Sequence, residues 1–469
     1  MTQQSKLSIN KFFRYLKIAL TGKESNFTSG SIRKAIFMLS IPMIAEMLME
    51  STFALVDMIF VSRVSTNAIA TVVLTESVIT LIYAVAIGLS MAATAVVARR
   101  TGEQDMEGAS KAAVQVIILG SVVAILIGAL GVIFPKEILG LMGGEPDLIN
   151  EGYRYTQILM GGNITVVLLF LINAIFRGAG DASIAMWMLV ISNGLNIILD
   201  PMFIFGFGPI PEYGVQGAAI ATTIGRGVAV VGQIMVLFYG WSKIKIGLKD
   251  LVLRFDIMWN LIKVSLGGIG QFLIATSSWV FLTRIMSEFG SVVLAGYGIS
   301  IRVIMFTLMP SWGMSNAAAT LVGQNLGAQQ PGRAEKSVWL TGKYNAIFMV
   351  IISIIYLLFA RTIVGWFKND PAVIEAGALS LQVITAGYVF YAYGMVLIQS
   401  FNGAGDTKTP TVINFFCFWL FQLPLAYLLA LEFDFGPLGV YLAITIAEAV
   451  IAIVSIWWFK KGRWRSVQV

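Results

Sequence analysis

Long apolar stretches recur along almost the whole chain, and each has the length needed to cross a lipid bilayer. A membrane-spanning helix needs about 20 mostly apolar residues. Asp, Glu, Lys and Arg supply only 12% of the 469 residues, about half of the roughly 25% usual in soluble proteins. The sequence therefore predicts an all-α polytopic membrane protein with twelve transmembrane helices. The stretches lie roughly at residues 39–61, 72–98, 111–133, 151–176, 184–207, 214–239, 257–286, 292–322, 336–360, 372–400, 411–431 and 437–459.

Basic residues are distributed unequally between the two sides of such an arrangement. If the amino terminus is inside, about 22 Lys and Arg residues lie on that side and about six lie on the other. Lys and Arg are retained on the cytoplasmic face of a membrane. We therefore predict a multi-pass protein of the plasma (inner) membrane with both tails in the cytoplasm.

Two residue types that carry much enzyme chemistry are almost missing. The chain has no His and one Cys, Cys417, which excludes His-based zinc sites, Ser-His-Asp and Cys-His catalysis and an intramolecular disulfide. The net charge of +7 does not form a basic patch with interleaved aromatic residues, so nucleic acid is not an expected partner. We expect no enzyme activity and no cofactor, and a monomeric chain surrounded by lipid.

The two halves of the chain match each other at an offset of 225 residues. Phe176–Asp181 then falls on Phe401–Asp406, with five of six residues identical, and no gap is needed. Gly and Asp are scarce in apolar stretches, so this match indicates an internal duplication. It predicts two six-helix bundles related by a pseudo-twofold axis along the membrane normal, with a cleft between them.

The duplication divides the chain into five parts. The first tail contains apolar and basic residues at near-helical spacing between Lys6 and Leu20, which suits an interfacial helix; a disordered tail is the alternative. The predicted parts are a cytoplasmic tail (1–38), an amino-terminal lobe (39–240), a cytoplasmic linker (241–256), a carboxy-terminal lobe (257–460) and a second cytoplasmic tail (461–469).

Span 1 carries three carboxylates on one helical face: Glu46, Glu50 and Asp57. An Asp near the centre of a span costs about 2.5–3.5 kcal/mol on insertion scales, so each acid must face a cavity, a partner or an ion. Three aligned like charges cannot all be ionised cheaply, so at least one is expected to carry a proton. We expect Asp57 to be functional and Glu46 to line water at the wet end of the helix.

Span 5 places Asn193, Asn196 and Asp200 on one face, followed by Pro201. Pro201 cannot donate to the carbonyl oxygen of Ile197, which frees that oxygen. Carboxylate, amide and carbonyl oxygens are the hard ligands that a small cation needs inside a membrane. For the Asn residues alone, interhelical hydrogen bonding is the equally open alternative.

Several short motifs, taken in order, resemble those of the multidrug and toxic compound extrusion family of the MOP superfamily, and within it the DNA-damage-inducible-type branch. That resemblance implies export of amphipathic, often cationic organic compounds, driven by inward Na⁺ or H⁺ through alternating access. No ATP-binding motif of the G-x-x-x-x-G-K-[ST] type is present, which agrees with ion coupling. The motifs are Pro42 with Leu55-Val56-Asp57, the two Gly-Ala-Gly-Asp loops, Asn196 to Pro201, and Gly214 to Thr222.

The resemblance also implies where the site lies. It assigns a cation site for Na⁺ or H⁺ to Asp57, Asn196 and Asp200, with Asn173 and Thr222 nearby, and we expect Glu50, Phe53, Tyr83 and Asn193 to line the substrate cavity. At the offset of 225, Asp57 falls on Leu282 and Asp200 on Leu425. Ion chemistry is therefore expected in the first lobe only, unlike the branch of the family that places acidic ligands in spans 7 and 10.

Other ionisable residues and other functions remain to be weighed. Glu448 and Arg302 either pair with each other or line the cleft, and we favour a structural ion pair. Arg226 and Glu76 either pair with each other or reach the cleft. Asp181 and Asp406 are expected to cap the helices that follow them. The alternative functions are a flippase for lipid-linked saccharides, which should have a basic cleft, a membrane-embedded hydrolase and a channel.

Overall fold

The computed structural model describes residues 13–22 and 26–469, and within them helices are joined by short loops. A helix also covers residues 13–21, whereas the part of the predicted interfacial helix before residue 13 lies outside the described residues. Twelve helical segments follow, numbered in chain order: α1 (Ile32–Val61), α2 (Thr66–Gly102), α3 (Met106–Ile133), α4 (Pro146–Ala179), α5 (Ala182–Ile204), α6 (Val215–Tyr239), α7 (Phe255–Ser287), α8 (Ser291–Gly327), α9 (Pro331–Gly365), α10 (Pro371–Ala404), α11 (Lys408–Glu432) and α12 (Pro437–Lys460).

Each predicted apolar stretch corresponds to one of these segments. Ten segments are long and apolar enough to cross a membrane, and the bent segment α10 makes eleven. The remaining segment, α1, does not meet that criterion, although its 30 residues are long enough to cross. It packs against α5 and α8. The predicted all-α membrane fold is confirmed.

The segments form two six-helix bundles, the first lobe (α1–α6) and the second lobe (α7–α12). Separate clusters of buried apolar side chains form their interiors, one extending from Val61 to Val264 and the other from Leu282 to Ile444. The lobes meet where α1 packs on α8, α2 on α7 and α2 on α8. The pseudo-twofold operation relates α1 to α7 and α2 to α8. It therefore converts the first of these contacts into the second, as expected for a duplicated chain.

Glycines mark equivalent breaks in the two lobes. Gly162 interrupts α4 and Gly387 interrupts α10, where the two halves are bent by 56°. Gly180 and Gly405 follow the ends of α4 and α10 with φ of 87° and 88°. A left-handed residue after a helix is readily supplied by glycine. Each pair is separated by the predicted offset of 225.

The offset changes near the last two helices, so the predicted gap-free match is wrong there. The amides of Tyr213 and Gly214 donate to the carbonyl oxygens of Phe203 and Ile204. Their equivalents in the second lobe are Phe435 and Gly436, which donate to Leu429 and Ala430. The offset is therefore 226 at the end of α11 and 222 at the start of α12. Two π-helical stretches in α11, Phe415–Gln422 and Leu428–Glu432, accommodate an extra residue, and the loop that follows is shorter.

The two Gly-Ala-Gly-Asp loops differ in what their Asp binds. Asp406 accepts hydrogen bonds from the backbone amide and hydroxyl of Thr409 at 3.1 and 2.6 Å, so it caps α11 as expected. Asp181 makes no capping bond. Its carboxylate accepts instead from Ser242 Oγ and from the amide of Lys243 at 2.7 and 2.8 Å, which attaches the linker to the first lobe. Burial lowers the pKa of the Lys243 ammonium, and the Asp181 carboxylate opposes that effect.

The ends of α2 and α8 meet at one end of the bundle, which we call the tail end because both chain tails lie there. A Cβ added to Gly327 would lie 2.9 Å from the amide nitrogen of Glu103 and 3.0 Å from the Cα of Gly102. Gly102 in turn faces the backbone of Gln324. Such close approach of two helices requires residues without a side chain. The tail end is therefore tightly closed.

Hydrogen bonds between the lobes add to this closure. Gln324 Nε2 donates to the carbonyl oxygen of Gly178 at 2.8 Å, and Arg99 Nη2 donates to that of Ala404 at 3.4 Å. Each donor belongs to one lobe and each acceptor to the Gly-Ala-Gly-Asp loop of the other lobe. The duplicated loops thus bind the opposite lobe in equivalent ways.

Both tails cross between the lobes at this end. The guanidinium of Arg333 donates to three carbonyl oxygens between Phe27 and Gly30 at 2.8–3.2 Å. The guanidinium of Arg99 donates to the carbonyl oxygen of Val467 at 2.9 Å. An arginine of the second lobe therefore holds the amino-terminal tail, and one of the first lobe holds the carboxy-terminal tail.

Gly327→Val is expected to loosen the tail end. Forcing a side chain into a packed contact costs about 1–3 kcal/mol, which corresponds to a shift in population of about fivefold to about a hundredfold at 1.4 kcal/mol per decade. The readout is maleimide labelling of a T320C variant in a C417S background, since the Thr320 side chain is fully buried at this contact. Gly298→Ala is the matched control, because a Cβ there meets nothing within 4 Å. Equal labelling rates in both variants would contradict the closure.

Candidate functional site

A cavity of about 470 Å³ lies between the lobes, within the roughly 300–1,000 Å³ typical of ligand pockets. The first lobe supplies its charged wall from α1, α2, α4 and α6. The second lobe supplies an uncharged wall, and its contributing residues are Phe272, Met309, Trp312, Asn316, Ala319, Gln399, Asn402 and Gly403. All ionisable chemistry of the cavity is therefore on the first-lobe side.

Two ion pairs neutralise half of the cavity carboxylates. Arg177 Nη1 lies 2.6 Å from Glu46 Oε1, and Arg226 Nη2 lies 3.2 Å from Glu50 Oε1. Both guanidinium groups are buried. Sequence reasoning had identified neither pairing.

The Glu46 pair belongs to a buried polar group that connects α1, α4 and α6. Asn173 Nδ2 donates to Glu46 Oε1 at 3.1 Å, and Gln233 Nε2 donates to Asn173 Oδ1 at 2.6 Å. Glu46 is only 2% exposed, so the expectation that it merely lines water is wrong. The structure also places Asn173 in this group and not among the predicted cation ligands, because its amide is already bound on both sides.

The second lobe repeats the Glu46 pair without charge. Gln271 Nε2 donates to Asn402 Oδ1 at 3.0 Å, and Asn402 Nδ2 donates to Gln271 Oε1 at 3.1 Å. These residues lie 225 positions after Glu46 and Arg177. Both members of the ion pair are thus replaced by uncharged residues at the equivalent positions of the second lobe. This joint replacement in the repeat indicates that the two side chains interact.

Arg226 organises a second part of the wall. Its Nη1 donates to the Tyr83 hydroxyl oxygen at 3.3 Å, and its guanidinium carbon lies 5.2 Å from the centre of the Phe53 ring. This distance is within the range of a cation–π interaction. The predicted cavity residues Glu50, Phe53 and Tyr83 thus lie together in the wall, positioned around one arginine.

The predicted cation ligands of α5 and α6 form a third buried group. Asn196 Nδ2 donates to Asp200 Oδ1 and to Thr222 Oγ1, both at 3.2 Å. Asp200 is fully buried and Asn196 is 2% exposed. Asp57, in the cavity wall, is close enough to Asp200 for the two carboxylates to repel each other.

Three oxygen atoms in this group lack a hydrogen-bond partner in the part of the chain that the structure describes. They are Asp57 Oδ1, Asn196 Oδ1 and Asp200 Oδ2, each of them buried. Burying such atoms without a partner is costly, so native structures rarely leave them unsatisfied. Neither Asp forms an ion pair within residues 13–22 and 26–469. Two carboxylates and an amide oxygen fit a proton or a small hard cation such as Na⁺.

Two other expectations are corrected by the structure. Asn193 Nδ2 donates to the carbonyl oxygen of Met49 at 3.0 Å, and Asn193 is not among the cavity-lining residues. Arg302 is exposed whereas Glu448 is buried, so the expected ion pair between them does not form. Of the two outcomes left open for Arg226 and Glu76, the structure shows the second, because both residues line the cavity and Arg226 pairs with Glu50. Helical spacing predicts which residues share a helical face but not which neighbouring helix that face contacts. Both errors have this cause.

The chain matches known proteins over most of its length. The MatE family model matches residues 42–202 and 269–428. The probable multidrug resistance protein NorM of Thermotoga maritima is 26% identical, with 93% of this chain and 94% of that protein covered. An FAD transporter of Shewanella oneidensis is 25% identical, with 91% and 94% covered. A solved outward-facing conformation of a multidrug resistance MATE family transporter superposes with a TM-score of 0.87 at 27% identity, with 93% and 97% covered.

Proposed function

The chain belongs to the MatE family of multidrug and toxic compound extrusion transporters, and we propose that it exports amphipathic organic cations in exchange for inward Na⁺ or H⁺. The observation that carries this proposal is the group of three buried, unsatisfied oxygens on Asp57, Asn196 and Asp200 beside a cavity between two lobes. Such a group binds a small cation without its water shell. A site at the interface of two repeated lobes is the arrangement used for alternating access.

Asp57 links the proposed ion site to the lobe interface. It lies on α1, which packs against α5 in its own lobe and against α8 in the other lobe. With the site empty, the carboxylates of Asp57 and Asp200 repel each other; with a proton or Na⁺ between them, the repulsion is removed. Occupancy therefore changes the packing of α1, and with it the relative stability of the two lobe arrangements.

The closed tail end defines the direction of access. We propose that this end faces the cytoplasm, as the excess of Lys and Arg on that side favours. In that orientation the contact between α2 and α8 seals the cavity from the cytoplasm, as in an outward-facing transporter. This is the state from which cargo is released and the coupling ion is taken up.

The energy released by one entering ion limits the cargo gradient that this ion can drive. Moving one elementary charge inward across 100 mV yields about 2.3 kcal/mol, enough for a roughly fiftyfold gradient of uncharged cargo at 1.4 kcal/mol per decade. A monovalent cationic cargo exchanged for one ion cancels the electrical term. The chemical ion gradient, or entry of more than one ion, must then drive export.

The charge of the cavity disfavours anionic cargo. A flippase for pyrophosphate lipids needs unpaired basic residues in its cleft, but Arg177 and Arg226 are both paired with carboxylates. The same argument applies to flavin dinucleotide, for which the Shewanella relative is named. Asp57 and Glu76 leave the cavity with unpaired acidic charge.

Transport in vesicles tests the proposal. Purified protein in proteoliposomes is expected to move a cationic dye uphill when either a Na⁺ gradient or a pH gradient is imposed, and the two gradients applied separately identify the coupling ion. The same vesicles are offered flavin dinucleotide and a lipid-linked saccharide. Movement of one of these anions without movement of the dye would overturn the proposal.

A further inference from the structure

We propose that Glu76 of α2 is the carboxylate that selects cationic cargo, separately from the acids that bind the coupling ion. This inference rests on the proposed function and assigns its substrate recognition to one residue. The cavity wall contains four carboxylates, those of Glu46, Glu50, Asp57 and Glu76. Their surroundings differ enough to assign each a separate role.

Three of the four carboxylates already interact with another side chain of the first lobe. Glu46 and Glu50 each form an ion pair with a buried arginine, at 2.6 and 3.2 Å. Asp57 has a buried oxygen with no partner and interacts with Asp200. A bulky organic cation cannot enter such a buried position, whereas a proton or Na⁺ can.

Glu76 has the opposite surroundings. Its side chain is exposed, lines the cavity, and forms no hydrogen bond or ion pair that the described part of the chain shows. Its carboxylate repels that of Asp57, which lies in the same cavity wall. An exposed carboxylate beside a second acid attracts a cation from solution and can bind it without first losing an internal partner.

The neighbours of Glu76 on α2 define the class of cargo. Thr80, Tyr83 and Ile87 follow it along the same face and also line the cavity. Tyr83 lies seven residues from Glu76, about 10 Å at 1.5 Å per residue. Its ring packs edge-on against Phe170 with 5.6 Å between centres. A carboxylate about 10 Å from an aromatic pair fits a flat, elongated aromatic cation.

Equilibrium binding to the purified protein tests this assignment. Ethidium is the cationic probe, and phenanthridine, which has the same ring system and no charge at neutral pH, is the neutral probe. Glu76→Gln is expected to weaken ethidium binding about tenfold and to change phenanthridine binding less than twofold. Glu76→Asp is expected to recover part of the affinity for ethidium. Glu137→Gln, an exposed acid outside the cavity, is the matched control and should bind both probes as wild type does.

A second measurement separates cargo from coupling ion. The stabilisation of the protein against heat by Na⁺ or by protons is expected to persist in Glu76→Gln, because Asp57, Asn196 and Asp200 are all retained in that variant. Ethidium binding to Glu76→Gln with wild-type affinity would overturn the assignment and leave the proposed function intact. Failure of the wild-type protein to bind ethidium or to move any cationic dye would overturn both.

Discussion

Asparagine in place of Asp200 is expected to abolish ion-driven efflux while the protein stays folded. Asn is nearly isosteric with Asp, and its amide oxygen can still accept the hydrogen bond that Asn196 donates. Among residues 13–22 and 26–469, Asp200 has no arginine or lysine partner, so removing its charge leaves no buried cation there uncompensated. The cation site loses one of its two negative charges, and the roughly fiftyfold gradient that about 2.3 kcal/mol per 100 mV can sustain should fall to none. Asp57→Asn is expected to have the same effect.

Dye efflux from proteoliposomes measures the loss of ion-driven transport. The stabilisation of the protein by Na⁺ or by protons measures the loss of ion binding. A ligand present at about 100 times its Kd stabilises a folded protein by about 2.7 kcal/mol, and Asp200→Asn should lose that stabilisation. Glu448→Gln is the matched control, because Glu448 is also a buried acid of a membrane helix but lies in the second lobe, outside the cavity. Its efflux should remain. Undiminished, ion-dependent efflux in both Asp57→Asn and Asp200→Asn would refute the site.

Helical periodicity by itself brings together only those members of this cation group that one helix carries. Asn196 and Asp200 are four residues apart, so helical periodicity alone brings them together. Thr222 was placed by the family motif, and its hydroxyl accepts from Asn196. Asn173 was placed by the same resemblance, but its amide binds Glu46 and Gln233. The rotation of α4 about its own axis decides which side chains Asn173 meets. Packing across the lobe sets that rotation, and the periodicity of a single helix does not predict it.

The lobes were predictable because the repeat preserves scarce residues. Gly162 and Gly180 recur as Gly387 and Gly405, and each pair occupies the same structural position. The change of offset near α11 was not predictable, since no residue type marks a π-helical stretch. Under the corrected offset of 222, Arg226 is equivalent to Glu448, and under that of 226, Asp200 is equivalent to Ala426. Asp200 therefore has an uncharged equivalent under either offset, and the confinement of ion chemistry to the first lobe stays a prediction.

The Glu46–Arg177 pair is expected to tolerate double substitution and not single substitution. Removing one member of a buried ion pair leaves an uncompensated charge and costs about 3–5 kcal/mol. Glu46→Gln and Arg177→Asn should each be destabilised by about that amount. Together they copy the Gln271–Asn402 pair that the second lobe uses at the equivalent position, so the double variant leaves no buried charge unpaired and should be less destabilised than either single variant.

Chemical denaturation of the four proteins in detergent gives the coupling energy of the pair. If the double variant is as unstable as either single variant, the two lobes do not use equivalent contacts. Efflux by the double variant adds a separate test, because Asp57 and Asp200 are unchanged in it. A stable double variant without ion-driven efflux would show that Glu46 takes part in coupling, whereas full efflux would leave the charge of this pair with a structural role and the coupling with Asp57 and Asp200.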